Sequence, residues 1–216
     1  TSISKDIPFG FDSNETSIEI RVISSQIGVT ANEKNVVWTS IHSQAQYILE
    51  YKTTGEWIKV AENLSGNINE LISYNLFDIP ELSGVSGNIL VRVIPTLDYE
   101  VTGCLLTTEN AKENTIVKLN KAKTVSVSNG TLTYTLSDTF LGVGEGKRPY
   151  VITLFANGNM ISNDEYAVDY QSQTITINSS NYIGENEFAI QISSVGYLTS
   201  DISNSVKARM ITTSND

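Results

Sequence analysis

The stretch Tyr47-Ile48-Leu49-Glu50-Tyr51 decides the fold class, because its side chains alternate in character. Glu50 is charged and must face water, so Ile48 shares its face and the other three side chains point toward a core. The turn-forming residues Thr53-Thr54-Gly55-Glu56 follow and predict a reversal into Trp57-Ile58-Lys59-Val60. Together, the two segments predict a β-hairpin with one buried face.

The same period-two alternation recurs along the whole chain, whereas helical periodicity is almost absent. It predicts an all-β protein made of two immunoglobulin-like β-sandwich domains in tandem. The predicted strands are Ser17–Ile23, Asn35–Thr39, Gln46–Tyr51, Trp57–Ala61, Leu71–Leu76, Ile89–Ile94, Thr102–Thr107, Ile116–Leu119, Lys123–Val127, Thr131–Leu136, Tyr150–Phe155, Glu165–Asp169, Thr174–Ile177, Glu187–Ser193 and Ser203–Ile211.

The chain divides best where apolar residues disappear, around Thr108–Asn114. A length of 216 residues suits two sandwiches of about 100 residues each. We therefore predict a first domain over 1–108, a linker over 109–114 and a second domain over 115–216. In the second domain, Asn157-Gly158 predicts a type I′ hairpin, because both residues adopt positive φ readily.

The first half resembles a fibronectin type III domain. The resemblance lies in Val36-Val37-Trp38, the Tyr47–Tyr51 stretch, Trp57-Ile58-Lys59-Val60 and Val91-Arg92-Val93, in the family's strand order. Ile89 occupies the position of the family's usual tyrosine. The resemblance implies a β-sandwich with Trp38 and Trp57 in its core.

The second half resembles small bacterial immunoglobulin-like modules, of the haemoglobin-interacting type or the X2 type. The similar segments are Asn157-Gly158-Asn159, Tyr166–Asp169, Thr174–Ile177, Phe188–Ile192 and Gly196-Tyr197. The resemblance implies an extracellular or cell-surface location and a spacer or binding role.

Composition excludes several kinds of partner. Fourteen basic and 24 acidic residues give a net charge of −10, without a cluster of Lys and Arg. Nucleic acid and anionic membrane surfaces are therefore disfavoured, because both need concentrated positive charge. No apolar run of membrane-spanning length occurs, so we expect no membrane insertion.

The sequence offers no standard catalytic or metal site, and we expect no enzyme activity and no cofactor. His42 is the one histidine and lacks the elbow motif of a serine hydrolase. Cys104 is the one cysteine, and it is predicted to be buried on a strand. One histidine and one cysteine are too few to form a standard zinc site. Asp12–Thr16 is interpreted as a solvated turn, with a calcium loop as the alternative. The Gly142–Pro149 segment is interpreted as a flexible inter-strand loop that could make contacts rather than as a phosphate-binding loop, since Leu141 replaces the required glycine.

Solvent-facing aromatic side chains are the candidate binding residues, because flat rings stack on sugars and anchor protein interfaces. The candidates are Trp57, Tyr74, Tyr99, Tyr150, Tyr182 and Tyr197.

These observations favour a non-catalytic adhesion, spacer or partner-binding segment of a larger bacterial surface or secreted protein. For its oligomeric state, we expect a monomer. Its partner would be a protein or glycan at the cell surface. One alternative is a carbohydrate-binding accessory region of a secreted glycosidase, and another is a phage tail or baseplate component.

Overall fold

The computed structural model describes residues 27–40, 45–96, 99–101, 104–106, 111–178 and 180–211. These ranges contain β-strands and two short 3-10 turns, Pro80–Leu82 and Ser180–Tyr182, and no α-helix. The strands are β1 (Thr30–Asn32), β2 (Asn35–Thr39), β3 (Gln46–Lys52), β4 (Ile58–Ser65), β5 (Leu71–Asn75), β6 (Gly87–Pro95), β7 (Tyr99–Val101), β8 (Cys104–Leu106), β9 (Asn114–Lys118), β10 (Lys123–Ser128), β11 (Thr131–Thr135), β12 (Val151–Ala156), β13 (Asn159–Met160), β14 (Tyr166–Asp169), β15 (Thr174–Ile177), β16 (Gly184–Ser193) and β17 (Val206–Met210).

The strands form antiparallel sheets of the immunoglobulin-like type, which confirms the predicted fold class. Among the described residues, the strand orders are β1-β2-β5, β4-β3-β6-β9, β7-β8, β10-β11-β15-β14 and β13-β12-β16-β17. Sheets of this kind bury one face and leave the other to solvent.

The described residues fall into two compact units. Unit 1 comprises 27–30, 37–74 without the undescribed 41–44, and the described part of 90–115. Unit 2 comprises 31–36, 75–89 and the described part of 116–211. The domain limits predicted from the sequence, with a linker at 109–114, stay a prediction.

In unit 1, the stretch that decided the fold class behaves as predicted. Tyr47, Leu49 and Tyr51 are buried, and Tyr47 packs edge to face on Trp38 with ring centroids 6.2 Å apart. The hairpin from β3 to β4 forms, and Gly55 takes a φ of 73° at its turn. The aromatic residues are therefore the centre of the unit 1 core.

Unit 2 buries apolar residues from both of its four-stranded sheets in one core. Leu132 and Ile175 come from one sheet, and Leu154, Phe188 and Ile190 from the other, each 0% exposed. The predicted hairpin at Asn157-Gly158 is confirmed, with φ angles of 52° and 80°.

The prediction was wrong at several strand ends. The final strand begins at Val206 rather than Ser203, because before it serine hydroxyls replace backbone carbonyls as the acceptors for β16, although the Ser200 and Ser203 N–H groups still donate to backbone carbonyls. Ser203 Oγ accepts the Ile190 N–H and Ser200 Oγ accepts the Ile192 N–H, both at 2.9 Å. The predicted strand Ser17–Ile23 lies outside the described residues.

Candidate recognition site

The segment between β11 and β12 in unit 2 is a structured loop. The Gly142 N–H donates to the Arg148 carbonyl at 3.0 Å, and the Arg148 N–H donates to the Phe140 carbonyl at 2.8 Å. Gly144 and Gly146 take φ angles of 107° and 76°, which residues other than glycine rarely adopt. These bonds close the base of residues 141–149, called here the recognition loop.

The recognition loop exposes the apolar side chain of Val143, and the ammonium of its Lys147 is bound to a backbone carbonyl. Val143 is 55% exposed. The Lys147 ammonium donates to the Thr139 carbonyl at 2.5 Å, and its aliphatic stem lies across Gly142. The aliphatic stem of Lys147 therefore forms part of the loop wall, while its ammonium is bound to the Thr139 carbonyl.

A pocket of about 310 Å³ that is open to solvent is lined in part by the recognition loop, and it is called here the loop cavity. This volume is near the lower end for ligand pockets. The lining residues are Gly142, Val143, Gly144, Lys147, Pro149, Tyr150 and Tyr170.

Two tyrosine rings line the loop cavity. Tyr150 packs edge to face against half-buried Tyr170, with centroids 5.0 Å apart and planes at 85°. The hydroxyl groups of Tyr150 and Tyr134 are hydrogen-bonded at 2.7 Å. Burial raises the pKa of both phenols above the ordinary value of 10; the shared hydrogen bond raises the pKa of Tyr134 further and opposes the rise at Tyr150. Both hydroxyls are therefore neutral at physiological pH, and one of them donates to the other.

Tyr150 is predicted from the sequence to face solvent, and the structure corrects this. The side chain is 5% exposed, because it points inward to Tyr134 and belongs to the core of unit 2. Its contribution to a site is the wall of the loop cavity rather than an open platform.

A second aromatic feature borders the recognition loop, and it is called here the aromatic ledge. Tyr197 stacks on Phe140 with centroids 5.2 Å apart and planes at 23°. The exposed Arg148 places its guanidinium 5.4 Å from the centre of the Tyr197 ring. Stacking of this kind orients a guanidinium while leaving its N–H groups available.

Unit 1 carries a different candidate at Trp57, which the resemblance places in the core. The ring is only half-buried, with the Arg92 guanidinium 4.2 Å and the Lys52 ammonium 5.8 Å from its centre. Arg92 also pairs with the Glu50 carboxylate at 2.6 Å. Tyr51 pairs with Ile58, so Trp57, which precedes Ile58, is not on the core face of Tyr51. It lies on the same face of the hairpin as Lys52 and Lys59. Trp38, by contrast, is buried as predicted.

Three sequence candidates remain: Tyr182, Tyr74 and Tyr99. Tyr182 is half-buried in unit 2, where its hydroxyl donates to the Glu165 carboxylate at 2.9 Å. Burial, helped by this bond, raises the pKa of Tyr182. Tyr74 is half-buried on β5, and Tyr99 begins β7 with a side chain outside the description.

The sequence prediction missed Phe140 and Tyr170, and it named Val143 and Arg148 only within the Gly142–Pro149 segment that could make contacts. Tyr170 continues the alternation of Tyr166 and Val168, which indicated only a core position. The pairing of Tyr170 with Tyr150 joins segments twenty positions apart, and no local pattern encodes such a pairing.

Within the described residues, no group of three His, Cys, Asp or Glu side chains is placed to hold a metal ion. His42 and the Asp12–Thr16 turn lie outside those residues. Among the helices of the described chain, none is long and apolar enough to cross a membrane.

Comparison with known proteins gives only structural likenesses. No family model matches the chain, and no curated protein matches its sequence. The crystal structure of murine CEACAM1b is 12% identical with a TM-score of 0.29, and the match covers 86% of this chain and 99% of that one. The crystal structure of the chicken CNTN1 FN1–FN3 domains is 12% identical with a TM-score of 0.29, and the match covers 87% and 67%. The fold class, all-β and immunoglobulin-like, follows from the antiparallel sheets of the chain itself.

Proposed function

We propose that this chain is a non-catalytic adhesion or partner-binding segment of a larger bacterial cell-surface or secreted protein. In this proposal, the chain acts outside the cell as a monomer and binds a surface protein through the recognition loop and the loop cavity. Rigid sandwiches commonly carry recognition on their loops, because the sheets fix the loop ends while the loop sequence varies freely.

The observation that carries the proposal is the loop cavity lined in part by a hydrogen-bonded loop. Binding loses less conformational entropy when the loop already has its bound shape. The crossing hydrogen bonds of Gly142 and Arg148 supply that order, and exposed Val143 supplies apolar surface at the mouth. A protein partner is favoured because aromatic and aliphatic groups beside an arginine are typical of interface centres.

Labelled full chain applied to arrays of extracellular proteins and glycans tests the proposal. We expect binding to a protein, weakened at least about tenfold by Val143→Asp, which places a charge where a partner would be desolvated. Val125→Asp is the matched control, since Val125 is 50% exposed on β10 and does not line the loop cavity. Equal binding by the parent chain and Val143→Asp would remove the recognition loop from the function.

A second candidate function is carbohydrate binding through Trp57. The half-buried indole has Arg92, Lys52 and Glu50 around it, and a sugar needs both a ring face and polar neighbours. Glycan-array binding that is lost in Trp57→Ala and kept in Val143→Asp would favour this function. Arg92 already covers part of the indole, so we rank this candidate second.

Oligomeric state separates the surface protein from a phage tail or baseplate component. Sedimentation of the full chain is expected to give a monomer. A threefold or sixfold assembly would favour the phage alternative, because closed rings are how such structures are built.

A further inference from the structure

We propose that the loop cavity takes one apolar side chain of a protein partner, proline or a branched aliphatic residue, while an acidic side chain of the same partner pairs with Arg148. This inference rests on the proposed function, and it names the ligand class of the same site. It distinguishes a peptide ligand from a sugar.

Three polar groups around the loop cavity are already engaged within unit 2. The Tyr150 hydroxyl bonds to Tyr134, one N–H of the Lys147 ammonium bonds to the Thr139 carbonyl, and the Gly142 N–H bonds to the Arg148 carbonyl. A sugar hydroxyl placed there would lose its water and compete with these bonds, which weighs against its binding. Its alternatives are the Tyr170 hydroxyl and the other N–H groups of Lys147.

The lining of the loop cavity is mainly apolar. The packed rings of Tyr150 and Tyr170 line it together with Pro149, Val143 and the aliphatic stem of Lys147. Aromatic-lined grooves of this composition suit proline and aliphatic side chains in extended peptides. A volume of about 310 Å³ accommodates an anchoring side chain rather than a folded element.

Arg148 supplies the charge preference. It is exposed, and within the described residues no carboxylate lies at salt-bridge distance from it. Its neighbours in sequence, Lys147 and Pro149, line the loop cavity, while its own guanidinium lies over Tyr197 on the aromatic ledge. A partner that covers both the recognition loop and the aromatic ledge would reach the cavity and the guanidinium together, and a carboxylate matches the planar fork of that guanidinium.

Selection of a displayed library of random peptides on the full chain tests the inference. We expect the selected peptides to share a proline, leucine, isoleucine or valine close to an aspartate or glutamate. One selected peptide is then synthesised, and its Kd is measured by calorimetry. Serine in place of its apolar residue should weaken binding to the parent chain about 10- to 100-fold, as expected for losing one buried aliphatic side chain.

Variants of the chain locate the peptide. The serine change should have little further effect in Val143→Asp or Tyr170→Ala, because the cavity contact is already lost there, whereas Val125→Asp should keep the full effect. Arg148→Gln should weaken binding about two- to fivefold and remove the preference for an acidic residue. Arg209→Gln, an exposed arginine on β17, is the matched control.

The two proposals fail differently. Selected peptides that are basic or lack an apolar residue, yet still depend on Val143, would overturn the apolar-and-acidic ligand and leave the recognition loop as a binding site. Peptides that bind parent, Val143→Asp and Tyr170→Ala chains equally would overturn both.

Discussion

Lys118 in unit 2 is a buried cation whose removal should destabilise that unit. Its side chain is 3% exposed, and its ammonium lies 2.8 Å from the Asp201 carboxylate and 2.6 Å from the Leu82 carbonyl. The other carboxylate oxygen of Asp201 accepts the Gly84 N–H at 2.8 Å. The pair therefore ties residues 82–84 to the segment before β17 within unit 2.

The burial of each partner sets the size of the effect. Removing one member of a fully buried pair costs about 3–5 kcal/mol. Lys118→Met leaves Asp201, whose side chain is 29% exposed and can be hydrated, so we expect a loss of about 1.5–3 kcal/mol. Asp201→Asn leaves a buried ammonium that water does not reach, so we expect about 3–4 kcal/mol. The double variant should lose at least about 1 kcal/mol less than the sum.

Urea unfolding followed by hydrogen exchange on peptides from β16 measures these losses in unit 2. Tryptophan emission reports on unit 1, because Trp38 and Trp57 both belong to it. Lys207→Ala, which removes the exposed pair with Glu187, should change stability by less than about 0.5 kcal/mol. Losses at Lys118 and Asp201 that are equally small, or strictly additive, would refute the reasoning.

Three further predictions concern unit 2. Because the folded pKa values of Tyr134 and Tyr150 are raised, the stability that these neutral phenols contribute is complete below pH 10.0 and is lost as the pH rises further. Tyr134→Phe should therefore make the loss of stability at alkaline pH less steep. Tyrosinate absorbance and circular dichroism measure this loss. Asn129 should deamidate before Asn157 during storage. The Asn157 side-chain amide is held by two hydrogen bonds of 2.9 Å, whereas no side-chain hydrogen bond holds Asn129 within the described chain. Peptide mass spectrometry measures the order, and the opposite order would contradict this. Gly158→Ala should destabilise by about 1 kcal/mol, although its side chain would meet open space, because its φ is 80°; a neutral result in thermal unfolding would count against this strain.

The parts of the fold that depend on local alternation were predictable. The burial of Tyr47, Leu49 and Tyr51 follows from the single charge at Glu50, because strand side chains have a strict period of two. The Asn157-Gly158 turn follows from backbone preference alone. Both signals act within a few residues.

The candidate site was predictable only in part, because it depends on pairing between distant segments. The aromatic ledge needs Tyr197 to meet Phe140, and the loop cavity needs Tyr170 to meet Tyr150. The period-two pattern says which side chains share a face of one strand, but not which loop lies above them. The resemblance alone placed Trp57 in the core, whereas the alternation that turns Lys59 to solvent puts Trp57 on the same face, beside Lys52 and Arg92.

Chemical-shift mapping of the isotope-labelled full chain with the selected peptide tests partner binding through the recognition loop most directly. The largest shifts should fall on residues 141–149 and on Tyr170 and Tyr197. Saturable binding with its largest shifts around Trp57 and Arg92, and with residues 141–149 unmoved, would contradict the assignment of recognition to the loop cavity.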